Sequence, residues 1–392
     1  MLLFIILLAA DILSSLVLKD HFYRKFKTVF IFFSIIHLAF SLWIWITFIR
    51  VVSYNGHFDA PENVGNQMTL TGLICAVVLN RGLIIFTHYL GKLFRIKQRN
   101  HIRVLTNIGL ASAAIYFSIL ALSFLTRFSY KTEELTLKIK DLDNEFAGLR
   151  VVHISDLHLG GFQSRPDKVA ELIEQVNSLK PDIIINSGDF VSYGWRELKG
   201  YDTILARARS TYGNFAVFGN HDIGTYIPGQ TESGIKENLA GMNELIRSSG
   251  YTLLDNSHTE IKIGTKVISF IGVSTGGRFP EMTHGKIIEA MKGLDSADLM
   301  IAICHDPDQW EEEIAGSTNI DLTFSGHTHG MQIGFFTGFF RWSIAKYFYP
   351  HWNGIYKEGV QWQYVNRGAG VLAMPFRIWM PPEITVITLE NG

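Results

Sequence analysis

The sequence predicts a chain in two parts, a bundle of four membrane-spanning helices followed by an α/β domain. Three observations carry this. Four long apolar stretches fill the first third. After residue 126 the apolar runs shorten to strand length and are bounded by Gly, Asp or Asn. Nearly every polar cluster in the second part follows directly on one of these short runs. A positive mean hydropathy of +0.17 over the 392 residues agrees with a chain that is only partly soluble.

The four long stretches cover residues 1–18, 28–49, 68–90 and 104–126. Each reaches the roughly 17 to 25 residues that a helix needs to cross a bilayer core. The first lacks the basic start and small-residue cleavage pattern of a signal peptide. Lys19, Arg24, Lys25 and Lys27 lie between the first two helices. Lys92, Arg95, Lys97, Arg99 and Arg103 lie between the last two, whereas the middle connection has Arg50 with Asp59 and Glu62. The positive-inside rule therefore sets the first and third connections in the cytoplasm, and everything after residue 126 on the periplasmic or extracellular side. Asp11, His37 and Arg81 each fall near the middle of their own helix. Isolated charges at that depth are costly, so the expectation is an Asp11–Arg81 pair with His37 or Asn80 beside it, serving helix order or a relay.

Residues 1–126 thus form the predicted helical domain, 127–134 a short polar linker, and 135–392 the α/β domain. A linker of eight residues extends at most roughly 27 Å, which keeps the domain near the bilayer. The predicted strands are 135–139, 150–154, 182–186, 215–218, 267–273, 299–303, 322–324, 362–365 and 384–389. A helix is predicted over 166–179, with Pro166 at its start and Val169, Leu172, Ile173 and Val176 on one face.

Charge and cysteine usage narrow the function. Residues 1–130 hold 12 Lys and Arg against 4 Asp and Glu, a balance of +8, leaving 23 against 32, or -9, for the remainder. A net-acidic soluble part lacks the footprint that binds a phosphate backbone, so no nucleic-acid partner is expected. Two cysteines, Cys75 and Cys304, make no disulfide framework.

The chemistry lies in five clusters: Asp156 and His158; Asp189; Asn220, His221 and Asp222; His305; and His327 with His329. In open α/β sheets the carboxyl ends of strands line the ligand crevice, so these side chains should converge. Carboxylate, imidazole and amide oxygen suit divalent ions such as Mn, Fe, Zn or Ni. Seven such donors exceed the needs of one tetrahedral ion, whereas two ions sharing a carboxylate would use them all and could activate water beside a phosphoryl group. Gly188, Gly219 and Gly326 should allow positive φ and close backbone approach.

The ordered pattern D-x-H, G-D, G-N-H-D, H and G-H-x-H resembles the calcineurin-like metallophosphoesterase superfamily over about residues 149 to 390. The runs GHTHGMQI and VNRGAG with PFRIWMPPEITVITL resemble its membrane-associated branch. The resemblance implies a four-layer α/β/β/α sandwich and a metal-dependent phosphoric ester hydrolase, a phosphodiesterase or phosphatase. It implies Asp156, His158 and His329 around one ion, Asn220, His305 and His327 around a second, and Asp189 between them. His221 would touch the phosphate and protonate the leaving group, with Asp222 orienting it. Met331 stands where the branch usually has Gly, which bears on the pocket's shape.

Beyond that pattern, His153 reads as a buried strand residue, Asp306 as a turn residue, and Asn366 and Arg367 as strand-end packing or substrate contacts. His258, His284 and His351 fit no cluster. Twelve aromatics between Phe335 and Tyr364, Phe339 among them, read either as a lipid-facing or acyl-binding surface or as a satellite core. The expected substrate is a phosphate ester or pyrophosphate, lipid-linked or periplasmic. The alternatives are a UDP-2,3-diacylglucosamine pyrophosphatase-like hydrolase and a membrane sensor with a vestigial metal site.

Overall fold

In the computed structural model, residues 1–23, 26–93, 99–163, 165–274, 285–294, 297–337 and 340–392 are described; Arg24, Lys25, Arg95, Lys97, His284 and Phe339 fall outside them. The chain divides into two units, one of Met1–Asn55, Asn66–Leu125 and Ala373–Phe376, the other of Gly56–Gly65, Thr126–Leu372 and Arg377–Gly392.

The first unit is helical: α1 (Leu2–Phe22), α2 (Lys27–Val52), α3 (Pro61–Leu73), α4 (Leu79–Leu93) and α5 (Arg99–Leu125). A π-helical turn, Ile74–Val78, joins α3 to α4 into one long helix. These make four helices long and apolar enough to cross a membrane, Leu2–Phe22, Lys27–Val52, Pro61–Lys92 and Ile102–Leu125. Leu7, Ile44, Leu70, Leu73 and Val77 pack between them, while Leu2, Ile35, Leu38 and Leu122 point outward. Apolar side chains on both faces are what a helix in lipid carries. The Asp11–Arg81 ion pair forms. Arg81 also donates to the carbonyl of His37 at 3.1 Å and to Ser41 Oγ at 2.8 Å, and Asp11 accepts from Trp45 Nε1 at 2.7 Å. Partners on both sides offset the desolvation of the two charges.

The second unit comprises β1 (Lys131–Ile139), β2 (Arg150–Ile154), α6 (Pro166–Ser178), β3 (Ile183–Asn186), α7 (Asp202–Leu205), β4 (Gly213–Ala216), α8 (Glu232–Ser248), β5 (Thr252–Leu253), β6 (Ser257–Ile263), β7 (Lys266–Val273), α9 (Ile287–Ala290), β8 (Leu299–Cys304), β9 (Leu322–Ser325), β10 (Gly334–Thr337), β11 (Phe340–Ser343), β12 (Gly354–Glu358), β13 (Gln361–Val365) and β14 (Glu383–Asn391). Among the described residues they form two six-stranded sheets, β1-β14-β2-β3-β4-β5 and β12-β13-β9-β8-β7-β6, and the hairpin β10-β11. The strands that carry the polar clusters are parallel neighbours, β2 to β3 to β4 in one sheet and β7 to β8 to β9 in the other.

Strand alternation sorts the core into layers. Val151, Ile183, Ile185 and Phe215 of the first sheet meet Ile268, Phe270, Ile301 and Phe324 of the second, with Phe215 stacked on Phe270 at 3.9 Å. The opposite face of the first sheet, Val152, Ile154 and Ile184, packs on α6, α7 and α8. The opposite face of the second, Ile271, Met300 and Ala302, packs on α9 and the turn Trp310–Ile314. On α6 the buried residues are Val169, Leu172, Ile173 and Val176, the face expected from their spacing. Burying each contributes roughly 1.5 to 3 kcal/mol.

The first strand starts at Lys131 rather than residue 135, because Lys131–Ile139 pairs along its whole length with β14. Segment Gly56–Gly65 also belongs to this unit. Asp59, 2% exposed, pairs with Arg196 at 3.4 Å, and Phe58 meets Tyr193 edge-on at 4.9 Å.

Candidate metal centre

All the singled-out clusters sit one to six positions beyond the end of a strand. Asp156 and His158 follow β2, Asp189 follows β3, Asn220 to Asp222 follow β4, His305 follows β8, and His327 and His329 follow β9. Because β2, β3 and β4 run parallel, as do β8 and β9, their carboxyl ends deliver the side chains to one place. Ligand atoms of Asp156, His158, Asp189 and His329 all lie within 4.8 Å of one another, and so do those of Asp189, His305 and His327. Asp189 is common to both groups.

The backbone there is contorted. Asp156 (φ 51), His158 (φ 42), Asp189 (φ 58), His327 (φ 70) and His329 (φ 50) occupy the left-handed region, which costs an L-residue on the order of 1 to 2 kcal/mol. Only Gly188, at φ 105, has the positive φ expected of the three neighbouring glycines. Gly326 serves close approach instead, since a Cβ there would meet Ser155 Oγ at 2.0 Å and Asp156 Oδ2 at 2.4 Å.

The convergent atoms are lone-pair donors. His158 Nε2 is 3.0 Å from His329 Nε2 and 3.5 Å from Asp189 Oδ2; His329 Nε2 is 3.2 Å from Asp156 Oδ1. Across Asp189, His305 Nε2 is 3.2 Å from its Oδ2 and 3.1 Å from Asn220 Oδ1, and His327 Nδ1 is 2.9 Å from the same amide oxygen. Buried carboxylates and imidazoles facing one another at these distances, with no thiolate, form a donor set that fits divalent first-row cations.

Outer contacts orient the rings. His305 Nδ1 donates to the Ser187 carbonyl at 2.7 Å, leaving Nε2 for a metal, and His327 Nε2 meets Tyr349 Oη at 3.0 Å, leaving Nδ1. His158 Nδ1 is 3.4 Å from Ser192 Oγ. His329 differs: its Nδ1 lies 3.3 Å from the Arg377 guanidinium, itself a donor, so ligation through Nε2 requires this contact to loosen.

Burial opposes the Asp189 charge, but His305, His221 and His158 outweigh it and hold the carboxyl well below its usual range. Burial also opposes a charged His305, yet Asp189 beside it raises the imidazole to about 10. Burial and the neighbouring His305 lower His327 to about 3. The site therefore favours one positive charge next to Asp189, the place a cation would take.

His221 stands beside this group, its ring centroid 5.0 Å from that of His158 and stacked at 4.3 Å on Tyr226. The expected role of Asp222 needs correction. Its carboxylate accepts the backbone N–H groups of Asp189, Val191 and Gly219 at 3.2 Å or less, and so shapes the two ligand loops. It is the Ser192 carbonyl that fixes His221, accepting from Nδ1 at 2.6 Å. The Ser192 turn is in turn held by Glu197, whose carboxylate accepts N–H groups from Gly160, Ser192, Tyr193 and Gly194.

Other sequence candidates fall outside the centre. His153 is buried in β2, bonded to Ser187 Oγ at 2.9 Å and lowered by burial to about 3. Asn366 bonds Thr385, and Arg367 lies between Glu133 and Glu383, so both pack strand ends. Asp306 accepts the N–H of Asp308 in a turn, 3.9 Å from His327 Nε2. His258 bonds the Ala290 carbonyl, and His351 lies tilted against Tyr356 with ring centroids 4.2 Å apart. Met331 takes φ 47, a conformation that glycine adopts freely, and packs with Ala345, Trp352 and Met380. The aromatic run divides: Trp352 and Tyr364 are buried, while Phe335, Phe340, Tyr347 and Phe348 are exposed. Sequence reasoning missed Ser192, Tyr226, Tyr349, Glu197 and Arg377. Only Tyr349, inside the aromatic run, and Arg377, inside the run PFRIWM, carried any signal.

Paired layers of sheet with carboxylates and imidazoles at their strand ends define a metal-dependent phosphoric ester hydrolase. Residues 149–331 match the calcineurin-like phosphoesterase family. An uncharacterized metallophosphoesterase of Aquifex aeolicus is 29% identical over 69% of this chain and 96% of its own length. A transmembrane protein with metallophosphoesterase domain from Danio rerio is 27% identical over 67% of this chain and 58% of its own. A UDP-2,3-diacylglucosamine pyrophosphatase of Chlamydia muridarum is 27% identical over 61% of this chain and 83% of its own.

Proposed function

We propose that this chain is a membrane-anchored hydrolase of a lipid-linked or periplasmic phosphate ester or pyrophosphate, with two divalent ions at its centre. The observation that carries the two-ion reading is Asp189, whose carboxylate belongs to both groups of ligands. When bound, the ions neutralise phosphoryl oxygens and make water a better nucleophile. The chain's own residues do the rest. Asp156, His158 and His329 hold one ion, and Asn220, His305 and His327 the other. Ser192 keeps the Nδ1 proton of His221 engaged, so that Nε2 serves the phosphate or the leaving oxygen.

The lipid-linked substrate is supported by the apolar helices, by the exposed Phe335, Phe340, Tyr347, Phe348 and Trp379, and by the named activity of the Chlamydia relative. The charge bias of the helix connections supports an outward-facing α/β unit. A second reading, cleavage of a UDP-linked acylated sugar, is favoured by that relative alone.

The test is turnover by the detergent-purified full chain with Mn, offering bis(p-nitrophenyl) phosphate, a long-chain lipid pyrophosphate and UDP-2,3-diacylglucosamine. The lipid pyrophosphate should show a kcat/KM at least about tenfold above the soluble diester. A preference for the soluble diester contradicts the lipid assignment, and a preference for the nucleotide sugar establishes the second reading.

A further inference from the structure

Lys19, Lys92 and Arg103 stand far apart in sequence, yet with Asp20, His21 and His88 they line one cavity of about 350 Å³ in the helical unit. The three cations come from different helices, α1, α4 and α5. Each lies at or near the end of a membrane-spanning stretch, the ends being Phe22, Lys92 and Ile102. Helices that cross a bilayer end at the level of the lipid headgroups, so the cavity sits at that depth. Its size is at the low end of pockets that hold small molecules, roughly 300 to 1,000 Å³.

Three cations face one carboxylate here. Lys92 Nζ donates to Asp20 Oδ2 at 3.0 Å, whereas Lys19 and Arg103 have no ion-pair partner among the described residues. Both imidazoles use an N–H on a neighbour. His21 Nε2 donates to Asn107 Oδ1 at 2.8 Å; His88 Nδ1 donates at 3.1 Å to Thr106 Oγ1, whose own proton goes to the Ile102 carbonyl. The histidines therefore shape the wall, and the groups left to bind are the Lys19 ammonium and the Arg103 guanidinium. Lys19 is exposed and Arg103 half-buried, so a ligand can reach both.

Like charges gathered without counterions repel, and an anion in the cavity relieves that. The surplus of two positive charges matches a terminal phosphate, which carries about -1.5 to -2 at pH 7 and offers three acceptor oxygens. Arg presents a planar fork to such oxygens, and Lys a point charge with rotatable donors. A phosphodiester or a carboxylate brings a single charge and leaves one cation uncompensated. Basic pockets between membrane helices recur as headgroup sites on the cytoplasmic side, where the positive-inside rule expects this end of the bundle.

We propose that this cavity binds a terminal phosphate group, that of a lipid headgroup or free phosphate, between Lys19 of α1 and Arg103 of α5. The inference rests on reading these helices as membrane-spanning and goes beyond the hydrolase reaction, whose residues all lie in the other unit.

The test is native mass spectrometry of the Mn-loaded full chain, offered phosphatidic acid, phosphatidylglycerol and phosphatidylcholine together in detergent. Adducts of phosphatidic acid should exceed those of phosphatidylcholine at least about tenfold and those of phosphatidylglycerol about fivefold. Lys19→Gln and Arg103→Gln should each lower them about tenfold. Lys27→Gln removes a cation at the same end that does not line the cavity, and should leave them unchanged. Displacement of the lipid by millimolar inorganic phosphate identifies free phosphate as the occupant, and persistence of the adduct identifies the headgroup. Without lipid, the double variant Lys19→Gln/Arg103→Gln should melt with the wild type, because neither side chain has a partner to lose. Added phosphatidic acid should raise the melting temperature of the wild type alone. Retention of the adduct by the double variant, or an equal loss in Lys27→Gln, overturns the proposal. So does loss in Asp189→Asn with retention in the cavity variants, which assigns the phosphate to the metal centre. None of these readouts is turnover, so failure here is separable from failure of the hydrolase reading.

Discussion

Asp156, His158, Asp189, His327 and His329 each sit on left-handed backbone, which aims their donor atoms inward at a conformational cost. Their identity and order were legible in the sequence because Asp, His and Asn clusters directly follow apolar runs. The supports around them were not. Ser192 reaches His221, and Glu197 reaches Gly160, through contacts that no local pattern encodes. Asp222 misled the sequence reading because adjacency to His221 suggested a side-chain partner, whereas its carboxylate turns to backbone amides. Glu197 yields a prediction. Burial raises its carboxyl to about 7 from an ordinary 4.5, against four opposing N–H donors. A raised folded pKa gives stability that is complete below the unfolded value and lost as pH climbs through the folded one. The unfolding free energy read from denaturant titrations should therefore fall between pH 4.5 and 7, by about 3 kcal/mol at about 1.4 per pKa unit. Glu197→Gln, neutral throughout, should flatten that slope; an unchanged slope would assign it to another group.

At the level of elements, the sequence announced strands buried on both faces and hid those at edges. Leu299–Cys304 is a continuous apolar run and Arg150–Ile154 is buried at every position but its first, and their expected bounds lie within a residue of those observed. Ser257–Ile263 is an edge strand with mixed exposure and charged side chains, Thr252–Leu253 has two residues, and the hairpin strands Gly334–Thr337 and Phe340–Ser343 lie inside an aromatic run. Helix Glu232–Ser248 was missed although Thr231 caps it, because its buried stripe is only Asn238, Met242 and Ile246. The aromatic stretch shows how elements support the centre. The short turn Ile344–Tyr347 brings Tyr349 to His327, where its hydroxyl engages Nε2 at 3.0 Å. Tyr349→Phe keeps the ring and removes that contact, so Mn affinity should fall about 10- to 100-fold with the fold intact. A calorimetric Mn titration reads this, and an unchanged Kd would show that the hydroxyl does not orient the ligand.

Over the whole chain, the division into a basic apolar third and an acidic remainder followed from composition, and so did the Asp11–Arg81 pair, from the depth of each residue in its helix. What composition did not reveal is that Gly56–Gly65 belongs to the α/β unit, because the contacts of Asp59 with Arg196 span 137 positions in sequence. Asp11→Arg and Arg81→Asp should each leave a charge uncompensated at helix mid-depth, at a cost of roughly 3 kcal/mol. The double exchange should restore the yield of folded, detergent-soluble protein, and no rescue would mean that the two sites are not equivalent partners. The account as a whole turns on whether the α/β unit gathers two ions around Asp189. Metal content by mass spectrometry, after loading with Mn and exhaustive desalting, tests that most directly. Two ions per wild-type chain and fewer than one in Asp189→Asn are the predicted results; a wild type that retains no metal, or an Asp189→Asn chain that keeps both ions, would contradict it.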